Sequence, residues 1–411
     1  MAEPSDGGAP MAGAEERSAS GPAGIGGPIE RAAGPDQSWL IASPGLWEGG
    51  QSGFRAGWVE LAQGRIKAVG FGPSPRPADQ TVDGLVAPGL VDVHCHGGGG
   101  ASFTDPDPDQ LATAIAVHRR AGTTTLVASL VSASLEQIEA QLDRLRPLVE
   151  AGELAGVHLE GPWLAPGKRG AHDPELLSWP TPAAVDRVLA QSDIVRMVTI
   201  APELPGALAA VERLSEAGLV AAIGHTEADL ATATAAIAAG ARGATHLFNA
   251  MPPLSHRAPG PVLALWRDRR VFCELIADGH HLDLDLVGFV LAQIPDRAVL
   301  ITDAMAAAGM GDGHYQLGGL PVEVAEGVAR LAGQSTIAGS TIRLSQAVAN
   351  LVAAGQPLVP TLAAASAGPA DYLGLPGVGR LVPGAWADLV EVDPSGRVKP
   401  LLRRGRPAAA G

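Results

Sequence analysis

The chain has 411 residues, 46% hydrophobic and 18% charged, which is enough for one large domain with a sizeable core plus a smaller domain. Its formal net charge of −14 argues against non-specific binding to nucleic acid or to an anionic membrane surface. Because there is no run of 18 uninterrupted apolar residues and no secretory signal at the N-terminus, we expect a cytoplasmic protein without a membrane span. The two cysteines, Cys95 and Cys273, are expected to be free thiols.

The two ends of the chain differ from its middle in composition and in the length of their apolar runs. Residues 1–36 are mostly Gly, Ala, Pro and Ser, and such a segment cannot bury enough surface to offset its conformational entropy. A disordered N-terminal tail is therefore predicted there. Short apolar runs separated by Gly and Pro fill residues 37–87 and return in residues 377–411. These runs predict a small β-sandwich domain built from both chain ends.

Residues 88–376 alternate strand-like apolar runs with helical stretches rich in Ala and Leu. Repeated β-then-α units favour a parallel sheet, and eight of them predict an α/β fold of the (β/α)8 TIM barrel class. An open doubly wound sheet is the main alternative, but no glycine-rich phosphate loop follows the first strand at the required spacing. The predicted strands are residues 90–94, 124–130, 156–159, 195–200, 220–223, 243–247, 271–276 and 298–301. The clearest predicted helices are residues 107–121, 135–150 and 227–239.

Side chains that bind metals lie at the ends of the predicted strands, where a barrel assembles its active site. The first strand closes with His94 and His96, which are two residues apart and so can face the same side of extended backbone. A lone buried histidine is more often a packing residue, and we interpret His158 in that way and assign no role to His118. Most of the 11 histidines nevertheless fall at strand ends, which favours a metal site. The other strand ends supply Glu160, His225, His246 and Asp303.

Histidine nitrogens combined with a carboxylate suit Zn²⁺ or Fe²⁺, whereas Mg²⁺ and Ca²⁺ prefer shells of oxygen. Glu160, His225 and His246 would supply three ligands and leave a position open for water, as a catalytic site requires. Asp303 could then take a proton from the attacking water and pass it to the leaving nitrogen. The alternative interpretation of Asp303 is a helix N-cap after the strand.

Six short motifs occur in a fixed order along the chain. They are His-Cys-His at His94 to His96, Leu-Glu-Gly-Pro around Glu160, Gly-His-Thr around His225, His-Leu-Phe-Asn-Ala-Met from His246, Asp-Gly-His-His ending at His281, and Thr-Asp-Ala-Met around Asp303. This set resembles the N-acetylglucosamine-6-phosphate deacetylases of the amidohydrolase superfamily over roughly residues 38–400. Hydantoinase and dihydroorotase relatives typically rely on a carboxylated lysine at the position of Glu160, which argues against a cyclic-amide hydrolase.

The resemblance implies hydrolysis of the acetamido group of N-acetylglucosamine 6-phosphate to glucosamine 6-phosphate and acetate, in amino-sugar catabolism. It assigns Glu160, His225 and His246 to the main metal and Asp303 to acid–base catalysis. Some members of the family lack the first-strand histidine pair and use one metal, so His94 and His96 indicate a second site bridged by Glu160. The choice between Zn²⁺ and Fe²⁺ and between one ion and two stays open. The implied substrate contacts are Ala171, His172, Asn249, Ala250, Arg257, His281, Ile337, Ala338 and Gly339.

The resemblance also implies a homodimer in which Arg257 reaches the substrate phosphate across the interface. A guanidinium fork matches phosphate, and an acidic protein needs such a local donor. The alternative is that Arg257 is a solvated loop charge.

Three alternatives for the function remain. The same site could act on N-acetylgalactosamine 6-phosphate or on a different amide or imine. A barrel that had lost catalysis would lack a metal ligand or the acid–base residue, and none is missing. A polynucleotide-binding module is disfavoured by the net charge and by the presence of only two tyrosines.

Overall fold

The computed structural model describes residues 38–50 and 52–408, so the predicted disordered tail lies outside the described residues. The N-terminal part forms five strands. Strand β1 pairs antiparallel with β2, and β2 pairs with β3, while β4 and β5 run parallel to β1. In β2, Val59 and Leu61 point inward, as expected for a strand with one buried face. The bounds are β1 (Trp39–Leu46), β2 (Arg55–Ala62), β3 (Arg65–Phe71), β4 (Gln80–Thr81) and β5 (Leu85–Pro88).

The middle of the chain forms a nearly closed barrel of eight parallel strands, which confirms the predicted TIM barrel fold. The first barrel strand, β6 (Leu90–Cys95), is followed by a two-residue hairpin, β7 (Gly97–Gly98) and β8 (Ala101–Ser102). The other barrel strands are β9 (Thr123–Val131), β10 (Gly156–Glu160), β11 (Val195–Ile200), β12 (Val220–Ile223), β13 (Gly243–Ala244), β14 (Phe272–Ile276) and β15 (Ala298–Ile301).

Helices lie between the barrel strands, and side chains cap the starts of five of the seven described here. Helix α2 begins after Ser134, whose side chain accepts the Gln137 N–H while the Gln137 side chain accepts the Ser134 N–H. Helix α5 begins later than predicted because Asp229 caps it by accepting the Thr232 N–H. The bounds are α1 (Pro108–Arg119), α2 (Leu135–Glu150), α3 (Pro182–Leu189), α4 (Ala207–Glu216), α5 (Leu230–Ala238), α6 (Gly260–Arg267) and α7 (Leu284–Gln293), and the loop after β10 holds 3-10 turns at Pro166–Lys168 and Pro174–Leu176.

The seam between the first and last barrel strands is held by a buried carboxylate. Asp92 on β6 accepts hydrogen bonds from the hydroxyl of Thr302 at 2.6 Å and from its backbone N–H at 3.3 Å. One step further on, the Asp303 N–H donates to the carbonyl of His94 at 2.9 Å. The ends of β6 and β15 are thereby fixed side by side, which brings His94 and Asp303 together.

A three-stranded antiparallel sheet that the sequence did not predict follows β15. Its apolar side chains, among them Leu317 and Val322, belong to the same buried cluster as Val131, Ala171 and Met305 at the mouth of the barrel. Its strands are β16 (Gly313–Leu317), β17 (Leu320–Ala325) and β18 (Val328–Leu331), and the chain continues through α8 (Leu344–Ala353), α9 (Leu358–Ala364) and α10 (Ala367–Leu373).

The C-terminal strands return to the sheet with which the chain began. They are β19 (Leu389–Val392), β20 (Val398–Arg403) and β21 (Arg406–Pro407). Because β19 pairs antiparallel with β5, both ends share one eight-stranded sheet around a core that includes Ile41 and Leu389. We propose residues 37–87 and 377–411 as the small β-domain and residues 88–376 as the barrel domain. Among the described helices, none has both the length and the apolar character needed to cross a membrane.

Arg403 on β20 ties the small sheet to the barrel, and its loss should destabilise the protein. Its guanidinium donates to the carbonyl of Gly152 at 2.6 Å and to that of Thr124 at 3.2 Å. We expect Arg403→Ala to lower the free energy of unfolding by about 1–3 kcal/mol, because these carbonyls lose their donor. Urea denaturation measures the change. The control is Arg406→Ala, an exposed arginine on the next strand, and an equal loss in both variants would contradict the role of Arg403.

Candidate active site

Three of the predicted ligands meet at the carboxyl ends of the barrel strands. The Oε1 atom of Glu160 lies 3.1 Å from Nε2 of His225 and 3.1 Å from Nε2 of His246. The two nitrogens lie 3.0 Å apart, and all three side chains are buried. In a tetrahedral site with ligands 2.0–2.1 Å from Zn²⁺, neighbouring ligand atoms are roughly 3.3 Å apart. This trio therefore has close to the dimensions of a zinc site.

A second set of donor atoms adjoins the first. Nε2 of His96 lies 3.2 Å from Nε2 of His94, 3.3 Å from Oδ1 of Asp303 and 3.1 Å from Oε2 of Glu160. Donor atoms of these four residues all lie within 4.8 Å of one another. Glu160 thus turns one oxygen toward each set, which is the arrangement that a bridging carboxylate needs.

The hydrogen bonds of the ring nitrogens show that these sets fit a cation. Nδ1 of His225 faces the carbonyl of Lys168 at 2.8 Å, and Nδ1 of His96 faces the carbonyl of Ser129 at 3.1 Å. A carbonyl only accepts, so Nδ1 carries the proton and a neutral ring presents its Nε2 lone pair to the carboxylate of Glu160. Two acceptors at 3.1 Å repel each other unless a proton or a metal ion lies between them. The donor set therefore fits a divalent metal ion.

The pKa shifts of the cluster also indicate that positive charge is needed between its carboxylates and imidazole rings. Burial lowers the pKa of His94, but the carboxylates of Glu160, Glu274 and Asp303 outweigh burial and hold this pKa well above its usual value. Burial raises the pKa of Glu160, yet the charge of His94 and the contacts with neighbouring histidines bring it well below its usual value. Burial also raises the pKa of Asp303, but the contact with His96 and the charge of His94 outweigh it and lower this pKa. Both carboxylates of the cluster are therefore ionised at neutral pH.

His172 faces the same carboxylate with a defined tautomer. Its Nδ1 accepts the Ser132 N–H at 3.2 Å, so the proton of the neutral ring resides on Nε2, 3.3 Å from Oε2 of Glu160. Burial lowers the pKa of His172 to about 4, so the ring is neutral at neutral pH. The residue is thus a neutral N–H donor at the edge of the cluster.

The backbone is strained where the candidate residues leave their strands. His225, His246 and Asp303 have φ angles of 47°, 30° and 49°, and Ala250 has 52°. Left-handed backbone is uncommon for residues other than glycine and costs about 1–3 kcal/mol at each position. The predicted strand over residues 243–247 was too long, because β13 ends at Ala244, two residues before the left-handed His246. Such strain is typical of functional sites, where surrounding contacts hold it in place.

Polar side chains fill the barrel beneath the cluster. Glu274 on β14 is fully buried, and its Oε2 lies 3.0 Å from Nδ1 of His94. Glu274 was not among the predicted site residues, although a single carboxylate inside a buried strand is a usable signal. His158, interpreted as a packing residue, has its ring nitrogens 3.0 Å from the Ser129 hydroxyl and 2.8 Å from the Thr199 hydroxyl, which leaves it no free ligand atom.

Cys95 points away from the cluster. Its Sγ atom lies 3.2 Å from Nε2 of His118 on α1, and burial raises the pKa of the thiol well above its usual value. Both Cys95 and Cys273 are free and buried, as expected.

A cavity of about 380 Å³ opens above the cluster and collects most of the predicted substrate contacts. His94 lies below it and is fully buried, Ala338 is buried beside it, and Arg257 is exposed and lies outside its lining. Lys168 also lines the cavity, and its Nζ donates to the carbonyl of Met251 at 3.3 Å. It was not predicted, because nothing in its local sequence marks it as a site residue. The predicted residues that line the cavity are His96, Glu160, Ala171, His172, His225, His246, Asn249, Ala250, His281, Asp303, Ile337 and Gly339. The lining residues that were missed are Gly167, Lys168, Gly170, Leu317 and Thr336.

Removing the central carboxylate should abolish metal binding. Glu160→Ala takes away the oxygens that face both sets, so we expect the bound Zn²⁺ per chain to fall to near zero after dialysis, as measured by atomic emission. Glu175→Ala, which changes an exposed glutamate in the adjacent loop, serves as the control and should keep the ion content of the wild type. Full ion content in the Glu160 variant would contradict the site.

Comparison with known proteins agrees with this geometry. Residues 85–408 match the amidohydrolase family. The chain is 37% identical to N-acetylgalactosamine-6-phosphate deacetylase of Escherichia coli O157:H7, over 86% of this chain and 96% of that protein, and 38% identical to N-acetylglucosamine-6-phosphate deacetylase of Bos taurus, over 77% and 81%.

Two solved structures show the same fold. A mutant of N-acetyl-D-glucosamine-6-phosphate deacetylase from Mycobacterium smegmatis, in complex with N-acetyl-D-glucosamine-6-phosphate, matches with a TM-score of 0.87 and 46% identity over 90% of this chain and 99% of that one. N-acetylglucosamine-6-phosphate deacetylase from Thermotoga maritima matches with a TM-score of 0.82 and 30% identity over 90% and 100%. The chain therefore belongs to the amidohydrolase family and, within it, to the N-acetylglucosamine-6-phosphate deacetylases.

Proposed function

We propose that the protein hydrolyses the acetamido group of N-acetylglucosamine 6-phosphate to glucosamine 6-phosphate and acetate, in cytoplasmic amino-sugar catabolism. The observation that carries this proposal is the set of imidazole lone pairs that face Glu160 at the floor of the cavity. Relatives named for this reaction support the choice of substrate. Glu160, His225 and His246 would hold a divalent ion, Zn²⁺ or Fe²⁺.

Asp303 is the proposed acid–base residue. An ion at the site would supply Lewis-acid activation of the attacking water and of the amide carbonyl. Asp303 is ionised because of its lowered pKa, and it lines the cavity beside His96, so it can accept the proton of the water and return it to the leaving nitrogen. We propose that the Nε2–H of His172, which lines the cavity 3.3 Å from Oε2 of Glu160, donates to the amide oxygen as negative charge develops there.

The set formed by His94, His96 and Asp303 supports a second ion, which Glu160 would bridge to the first. Both histidines hold their Nδ1 atoms against acceptors, namely Glu274 and the carbonyl of Ser129, so their Nε2 lone pairs are directed into the cluster. With only one ion bound, the Nε2 lone pairs of His94 and His96 would face carboxylate oxygens with no cation between them.

The rest of the cavity suits a phosphorylated sugar. Ala171, His281, Ile337 and Gly339 would contact the sugar, and Asn249 and Ala250 would meet the phosphate end. Lys168, which donates to the carbonyl of Met251, adds a positive charge to the same cavity. Because Arg257 is exposed and outside the lining of its own cavity, it would reach a phosphate only in a second copy of the chain. We therefore propose a homodimer in which Arg257 crosses the interface.

Asp303→Asn should remove most of the turnover, because an amide cannot accept the proton. We expect kcat for acetate release from N-acetylglucosamine 6-phosphate to fall by roughly 10²–10⁴-fold, while the ion held by Glu160, His225 and His246 is retained. Asp285→Asn, at an exposed aspartate in the first turn of α7, is the matched control and should leave kcat unchanged. Undiminished turnover in the Asp303 variant would remove its proposed role.

The phosphate should contribute to kcat/KM through charged donors. We expect N-acetylglucosamine to be turned over at least 10-fold less efficiently than its 6-phosphate, since phosphate binding energy positions the amide. Arg257→Ala should raise KM for the phosphorylated substrate and leave the reaction of the unphosphorylated sugar unchanged, whereas Arg269→Ala, an exposed arginine nearby, should alter neither.

The same assay separates the two epimers. A higher kcat/KM on N-acetylgalactosamine 6-phosphate would move the substrate assignment to the activity named for the Escherichia coli relative. Equal efficiency with and without phosphate would count against a phosphorylated substrate altogether.

A further inference from the structure

We infer that Glu274 is a positioning residue that determines how tightly an ion is held at His94 and His96. The inference rests on the proposed function, because it concerns the second ion of that site. Glu274 lies on β14 inside the barrel and is 0% exposed. It lines no part of the cavity, so it acts only through its neighbours.

The first contact of Glu274 fixes the tautomer of His94. Its Oε2 atom lies 3.0 Å from Nδ1 of His94, and this oxygen accepts the Nδ1–H of the ring. Nε2 is then the nitrogen left to bind an ion, 3.2 Å from Nε2 of His96. In the other tautomer the ring could not bind an ion through Nε2.

The second contact reaches the other ion position. The same Oε2 atom accepts the backbone N–H of His246 at 3.3 Å, and the backbone carbonyl of Glu274 accepts the Leu247 N–H at 2.8 Å. These bonds hold the segment in which His246 has its left-handed φ of 30°. One buried residue therefore holds a ligand of each ion set.

The remaining oxygen of Glu274 is held from below by Tyr372 on α10. The Tyr372 hydroxyl donates to Oε1 at 3.3 Å and is itself fully buried. Gly243 on the neighbouring strand makes room for this hydroxyl, because a Cβ atom there would lie 2.0 Å from it. Three donors thus surround a carboxylate that would otherwise be costly to bury, and they orient it toward His94.

The test compares the ion content of two variants with that of the wild type, using Zn²⁺ as the only ion and atomic emission as the readout. Glu274→Met fills a similar volume without an acceptor, and Glu274→Gln keeps an amide oxygen that can accept the Nδ1–H of His94. We expect two Zn²⁺ per chain in the wild type. In Glu274→Met, affinity for the second ion should fall by roughly 10–100-fold, and Glu274→Gln should recover most of it. Glu212→Met, which makes the same change at an exposed glutamate of α4, is the control and should keep both ions.

A wild-type affinity for both ions in Glu274→Met would overturn the inference, since packing alone would then suffice. A Glu274→Gln variant no better than Glu274→Met would also overturn it, because the hydrogen bond would not be the cause. The nitrogen chemical shifts of His94 in the Zn²⁺-loaded wild type test the tautomer even if Glu274→Met does not fold, and an Nδ1 atom without a proton would refute it. A wild type that binds no ion at all would instead refute the proposed function.

Discussion

Imidazole nitrogens and carboxylate oxygens face each other at about 3 Å around Glu160, and the tautomers of His96 and His225 leave lone pairs on both sides of these contacts. Water cannot screen them, because the side chains are buried. Only positive charge between the groups makes the arrangement favourable. The requirement for a cation therefore follows from the hydrogen bonds at the outer ring nitrogens, since these bonds decide which nitrogen is left to bind.

Contacts outside the cluster stabilise the strained backbone of the residues that form it. Left-handed backbone at His225, His246 and Asp303 persists because neighbouring strands hold the chain on either side. The Asp303 N–H, for example, donates to the carbonyl of His94, and the Asp303 carbonyl accepts the Ser340 N–H at 2.7 Å. The strain is thus local, and the regular hydrogen bonding of the surrounding parallel sheet supports it.

Much of the fold could be predicted from the sequence because the barrel strands are short apolar runs bounded by turns. Residues 195–200, 220–223 and 298–301 form strands with the predicted ends. The gathering of histidines at strand ends could be predicted as well, because parallel strands place those ends on one side of a barrel. The end of β13 at Ala244 could not be predicted in this way, since it depends on the left-handed backbone of His246, which is stabilised only in the folded site.

Other features could not be predicted from the sequence, for a different reason. The sheet of β16 to β18 has exposed residues at alternate positions, and a short amphipathic hairpin carries no signal of where it will pack. Lys168 and Glu274 owe their places to contacts with residues far away in the chain, namely Met251 and His94. A single sequence does not reveal such pairs.

The joining of both chain ends in one sheet has a consequence for biosynthesis. Leu85 and Val392 are partners across β5 and β19, so β5 leaves the ribosome with one edge unpaired until β19 has been made. An unpaired strand edge is prone to associate with other chains during that interval. Closing so long a loop is also slow, which makes completion of the small sheet a late step of folding.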